Sequence, residues 1–251
     1  MGKDVISRET FEQNTMTAAV AMHANTNFMQ EALNLKVKAG HDYLWVHQTR
    51  WMGEPCLQLP TDLLALAEII NRTKPDYIIE CGVAWGGTTL FLASMLALNG
   101  GKLVIGVDIY LPEDLKRRIN SHDVSEKIHL IEGSTLADST LIEIDRVLRN
   151  SKKVMVLLDS DHTHEHVIRE LEIYNKYVGL DFYLICGDTA IEMQPPAPNR
   201  PRSWGKGNNP LTALTEFLKS NEGKSFDVDL NIDKKLLFSN NWGGHIIRNK
   251  L

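Results

Sequence analysis

What this sequence has little of narrows it first. Cysteine is scarce: Cys56, Cys81 and Cys186 are widely separated, odd in number, and form no CxxC pair. A disulfide framework is therefore not expected, and a reducing cytoplasm is. No apolar run approaches the roughly 20 residues a membrane span needs. The opening MGKDVISRETFEQNT lacks the apolar core of a signal peptide. Ile6 stands where N-myristoylation wants Ser or Thr. Charge of neither sign dominates, with 27 Lys and Arg against 32 Asp and Glu. Without a broad basic field, no nucleic acid partner is expected. Two phosphate-binding motifs are also missing. GxxxxGK[ST] does not occur, and GxGxxG fails because Ala84 stands at the second glycine position after Gly82.

What is present suits an ordinary globular protein: 251 residues, 43% of them hydrophobic and 24% charged. Residues 1–60 read as a helical extension, a lid or an arm for a homo-oligomer, with FEQNTMTAAVAMHANTNFMQEALNLKVKAG helical and Gly40 a possible stop. No strand pattern precedes residue 75. TDLLALAEIINRTKP then starts a helix that Thr61 or Asp62 can cap. From there to residue 251 the chain alternates. Apolar runs at DYIIECG, KLVIGVD, KIHLIEG, KVMVLLD and FYLICGD read as strands. Helical stretches fall near 88–99, 111–120, 138–149 and 164–178. The alternation predicts an α/β domain, a mostly parallel sheet with helices on both faces. Runs buried on both sides lack polar alternation, as these do. SFDVDLN, KLLFSNN and GHIIRN read as late strands, including an antiparallel pair at the sheet edge. MQPPAPNRPRSWGKGNNP is a long loop before a helix near 210–220.

The first strand runs into a glycine turn and then a helix: IIECGVAWGGTTLFLASML. Gly82 and Gly86 let the backbone approach a ligand, and the helix start supplies unpaired N–H groups. Glu80 beside that turn would repel a pyrophosphate and suit a ligand bearing positive charge. Asp108 ends the second strand, where an acid can accept ribose hydroxyls. Gly133 and Ser134 follow the third strand, in position for a turn facing adenine. Three consecutive strand ends make one coherent nucleoside site.

VLLDSDHTHEH, residues 156–166, poses a separate question. Asp159 ends the fourth strand and Asp188 the fifth. Neighbouring strands lie about 4.8 Å apart, so the two carboxylates can share a hard cation such as Mg²⁺, with Asp161, Thr189 or water completing it. The alternatives are zinc on His162, His164 and His166, or a metal-free helix start capped by Asp161 or Thr163. HTHEH is one residue short of HxHxDH, and no thiolate is near. His162 sits beside the carboxylates, and an imidazole suits general-base work near neutral pH.

IIECGVAWGGTTLFLA, VIGVDIY, IEGST, LLDSDH, GDTAIE and WGKGNNPLTALTEFL together resemble the cephalosporin hydroxylase family and the related rhamnosyl O-methyltransferases. The resemblance spans about residues 43–248. It implies a Rossmann-like methyltransferase fold of seven strands binding S-adenosylmethionine. Glu80, Gly82 and Gly86 would line the methionine part, with Trp85 walling the pocket. Asp108 would hold the ribose, and Ser134 with Gly133 would lie near the adenine. Asp159 and Asp188 would bind Mg²⁺ or another divalent cation. Two features depart from the family pattern. Gly187 stands where some members carry an acid, and NRPRSWGKG differs from their tighter Arg-Pro-Trp segment.

The expected activity is therefore Mg-assisted O-methylation of a small molecule, a sugar or natural product such as an antibiotic. His162 would act as base, with Asp159 as catalytic ligand. Loop 194–209 would close as a lid carrying Arg200, Arg202, Trp204 and Lys206. An oxygenase is the rival, but a facial triad needs a second His that the sequence does not supply. A non-catalytic member of the fold is the third reading, and the intact Glu80 and Asp108 argue against it.

Overall fold

The computed structural model describes residues 6–196 and 201–250. Two helices come first, α1 (Arg8–Ala24) and α2 (Thr26–Tyr43). They are broken at Asn25, whose side chain accepts from the Phe28 N–H and caps the second. Gly40 does not stop α2. The helix runs on to Leu44, where the backbone turns left-handed at φ +52°. α1 has no buried residue, whereas α2 buries Ala32, Leu33 and Lys36.

A small hairpin follows, β1 (Arg50–Trp51) and β2 (Glu54–Pro55), against the expectation of no strand before residue 75. It is specified by its turn rather than by its pattern. Met52 and Gly53 both have positive φ, as a two-residue type I′ loop requires. Helix α3 (Pro60–Thr73) starts on Pro60 itself, with Leu59 at the cap position and no side-chain cap. Proline needs no N–H there and presets φ. Thr61 and Asp62 face elsewhere: the hydroxyl of Thr61 donates to the Phe238 carbonyl, and Asp62 is fully buried.

The remaining elements are β3 (Tyr77–Cys81), α4 (Gly87–Asn99), β4 (Leu103–Asp108), α5 (Glu113–Asn120), β5 (Ile128–Glu132), α6 (Asp138–Leu148), β6 (Val154–Leu158), α7 (His164–Tyr174), β7 (Tyr183–Cys186), α8 (Pro210–Phe217), β8 (Phe226–Val228), α9 (Leu230–Asp233) and β9 (His245–Arg248). The sheet order is β5-β4-β3-β6-β7-β9-β8. The first five strands are parallel, and β9 runs antiparallel to both its neighbours. KLLFSNN is not a strand. Its backbone is turned around Asp62, which accepts from the Ser239 hydroxyl and the Asn240 N–H.

Alternate residues of the sheet feed two cores. Ile79, Val107, Val156 and Leu184 pack with α6, α7 and α8; Ile78, Val104, Leu157 and Ile185 pack with α3 and α4. Strand order reverses beside β3, between its neighbours β4 and β6. That is where open α/β sheets place ligands, outside the carboxyl ends of the strands.

Candidate active site

At that switch point lies a cavity of about 370 Å³. Gly82, Val83, Ala84, Trp85 and Thr88 form one wall; Asp159, Ser160, His162 and Asp188 form the next. Trp204 and Arg202 close it from the long loop, and α2 contributes Lys36, Val37, Gly40 and His41. The volume lies within the usual range for small-molecule sites.

The glycine turn fits too closely to tolerate side chains. A Cβ on Gly82 would stand 2.1 Å from the Asp159 carbonyl oxygen, and φ there is +98°. Gly86, at φ +83°, has Ile119 Cδ1 2.8 Å from where its Cβ would be. Asp108 ties the turn down: its Oδ2 accepts from the N–H groups of Val83 and Ala84 at 2.9 and 3.0 Å. Oδ1 accepts from Tyr110 N–H at 3.1 Å. Gly133 and Ser134 follow β5 on the same sheet edge, and Ser134 Oγ accepts from Leu136 N–H. They do not line the described cavity.

Glu80 lies beneath the turn rather than in the cavity. It is fully buried, Oε2 accepts from the Thr89 hydroxyl at 2.5 Å, and Oε1 has no described partner. Burial pushes its pKa up to about 8, and the charge of Asp108 adds to this. A mostly neutral carboxyl under the loop differs from the counter-charge beside the glycine turn expected from sequence. Burial, not distance along the chain, sets that difference.

The carboxylates of Asp159 and Asp188 and the ring of His162 present ligand atoms within 4.8 Å of one another. His162 Nε2 is 3.3 Å from Asp188 Oδ2. This donor set, two hard oxygens and one imidazole, fits Mg²⁺ or Mn²⁺. Asp188 is held at φ +53°, and its N–H donates to Asn241 Oδ1. Asp159 Oδ2 accepts from Gln58 Nε2 at 2.7 Å. Burial, then the negative charges of Asp188 and Glu80, push the Asp159 pKa well up. A cation would reverse that penalty. Gly187 has no space for a side chain unless its neighbours shift. A Cβ there would lie 2.9 Å from the Leu158 carbonyl and 3.0 Å from Asp159 Oδ1.

Two expected ligands are not brought into this group. Asp161 Oδ1 is committed to the N–H and hydroxyl of Thr163, an Asx turn that starts α7. Thr189 is fully buried, with its hydroxyl donating to the Trp242 carbonyl at 2.7 Å. The three histidines diverge, which answers the zinc alternative. His162 faces the cavity, His164 bonds to Thr212 at 2.8 Å, and His166 lies 3.1 Å from buried Glu170. Thr163 occupies the cap position of α7 without a side-chain cap bond.

On the loop, Trp204 meets the His162 ring edge-on at 4.9 Å, and the Arg202 guanidinium lies 5.0 Å from the Trp204 ring. Lys206 is exposed and outside the cavity. Arg200 falls outside the described residues. The far end of the loop is tied down rather than free. Asn208 Oδ1 accepts from His164 N–H, and Glu192 Oε2 accepts from Gly207 N–H and Asn209 Nδ2. Gln58 and Lys36, both buried against this site, carry no local motif; only the fold shows them.

The signature of the family described as rhamnosyl O-methyltransferase/CmcI matches residues 43–249. A rhamnosyl O-methyltransferase of Mycobacterium leprae (strain TN) is 28% identical over 210 residues, covering 82% of this chain and 86% of that protein. One of Mycobacterium tuberculosis (strain ATCC 25618 / H37Rv) is 25% identical over 205 residues, covering 80% and 79%. Among solved structures, an apo form of CmcI superposes with a TM-score of 0.56 at 17% identity, over 82% of this chain and 78% of that one. A CmcI structure with Mg and SAM gives 0.55 at 17% identity over the same shares. At such identity these two structures speak for the fold.

Proposed function

This chain belongs to the rhamnosyl O-methyltransferase/CmcI family, and from that premise we propose how its cavity works. The protein is an O-methyltransferase that takes its methyl group from S-adenosylmethionine. Its acceptor is a small molecule with a free hydroxyl, of sugar or natural-product type. Bound together, a divalent cation would hold and acidify that hydroxyl while S-adenosylmethionine supplies the methyl group.

Asp159 and Asp188 hold the cation, and Gln58 fixes the Asp159 carboxylate by donating to Oδ2. His162 stands against Asp188 and takes the acceptor proton, with Trp204 keeping its ring in place. Gly82 to Thr88 bring backbone close to the donor molecule. Asp108 holds the turn and the ribose together. Such a transfer gains most of its rate from fixing two reactants in line. Helix α2 and the loop bearing Arg202 and Trp204 exclude water over the pair.

One observation carries this reading: the Asp159, His162 and Asp188 ligand atoms converge on the same cavity as the glycine turn. Calorimetric titration tests it. S-adenosylmethionine is expected to bind with micromolar affinity, and Mn²⁺ to bind the wild type but not Asp159→Asn combined with Asp188→Asn. Failure of S-adenosylmethionine to bind would overturn the donor assignment. Equal Mn²⁺ uptake by both proteins would overturn the metal assignment.

A further inference from the structure

Lys36 is an unusual residue to find where it is. It sits on α2, before the segment that matches the family, and is only 3% exposed. Lysines on helices ordinarily extend their ammonium to water, because desolvating the charge is costly. Here Nζ lies over the Trp242 ring, 5.4 Å from its centroid, and donates to the Ser239 carbonyl at 2.7 Å. That bond uses one of three N–H donors. The residue also lines the cavity, as do Asp188 and Asn240.

We propose that Lys36 is a built-in counter-cation of the metal carboxylates, sharing their cavity so as to set how tightly the site takes a divalent ion and to favour an anionic oxygen once it is loaded. The inference rests on reading Asp159 and Asp188 as cation ligands. The negative charges of Asp188 and Asp62 both favour the ammonium. Asp62 lies outside the cavity, accepting from the Ser239 hydroxyl and the Asn240 N–H, whereas Asp188 lines the same cavity as Lys36. Burial lowers the Lys36 pKa to about 8, and both acids oppose that fall, which leaves the group mostly charged at neutral pH.

The charge balance gives the consequence. With both carboxylates ionised and a divalent ion bound, the centre is neutral without Lys36 and carries one positive charge with it. An ionised acceptor hydroxyl is the ligand that restores neutrality. The same ammonium repels the incoming ion, so the site gives up metal affinity to gain selectivity for an anionic acceptor oxygen.

The test uses Mn²⁺ alone as probe, titrated into the full chain and into Lys36→Met, Lys36→Gln and Lys36→Arg. Met and Gln are expected to bind Mn²⁺ about tenfold more tightly, and Arg within about twofold of wild type. A purely structural role predicts the opposite sign: loss of the Ser239 contact would loosen the loop and weaken Mn²⁺. Unchanged or weaker binding in folded Met and Gln variants overturns the inference while leaving the metal site standing. Melting curves establish folding, and Gln keeps a donor for Ser239 should Met fail to fold. If neither wild type nor any variant takes up Mn²⁺, the metal reading falls and this inference with it.

Discussion

Asp159 concentrates the chemistry of the site at the residue scale. It is partly buried, its pKa is pushed up, and one side chain, Gln58, donates to its Oδ2. Removing that donor leaves the carboxylate free to rotate. Gln58→Leu is expected to weaken Mn²⁺ binding by about 10- to 100-fold, the usual cost of losing a partner that orients a metal ligand; titration of the two proteins side by side checks it. Gly187 gives a second, less intuitive expectation. An acid placed there, Gly187→Glu, should weaken cation binding, because its Cβ would press on the Asp159 carboxylate. A tighter site in that variant would show that the carboxylate has room to yield. Asp159 was legible in the sequence because it directly follows β6, Asp188 because it stands two residues past β7, and His162 because it lies in the same loop as Asp159. Gln58 and Lys36 were not: their partners lie 101 and 203 residues away, and no local spacing encodes such contacts.

At the scale of elements, strand, turn and helix around Gly82 form one unit. Gly82→Ala asks a side chain to occupy φ +98° and to overlap the Asp159 carbonyl. The expected loss is about 2 kcal/mol or more of stability, read by denaturant melts, with donor binding lost in parallel. A milder change is available on the long loop. Asn209 accepts from Leu211 and Thr212 N–H groups in a capping box at the start of α8. Asn209→Ala should cost about 1 kcal/mol. The five parallel strands were readable because continuous apolar runs have few other uses. The hairpin at 50–55 was not, since two-residue strands leave no periodicity. Nor was the turn at KLLFSNN, whose apolar residues pack inward because Asp62, far away in sequence, organises the backbone.

At the scale of the whole molecule, burial holds protons on Glu80 and Asp159 that the unfolded chain releases. The folded chain binds the Glu80 proton up to about pH 8, whereas the unfolded chain releases it near 4.5. Stability from this group is thus complete below about pH 4.5 and is lost as pH rises through 8. Asp159 and His166 shift in the same direction. The metal-free protein is expected to melt at a lower temperature at pH 8.5 than at pH 6. Glu80→Gln should remove on the order of a few kcal/mol of that slope. A slope unaffected by Glu80→Gln would mean that the carboxyl is already ionised in the fold.

The position of β9 has a consequence for how the chain is made. It pairs with β7 on one side and β8 on the other, yet follows both in sequence. During synthesis β7 therefore leaves the ribosome with an open edge, and β8 has no neighbour until residues 245–248 arrive to fill the gap. As at β3, whose neighbour β6 is made only after β4 and β5, the order of translation and the order of the sheet disagree here. The nascent protein can build its donor-binding half early but must wait for its last strand before the other half can close.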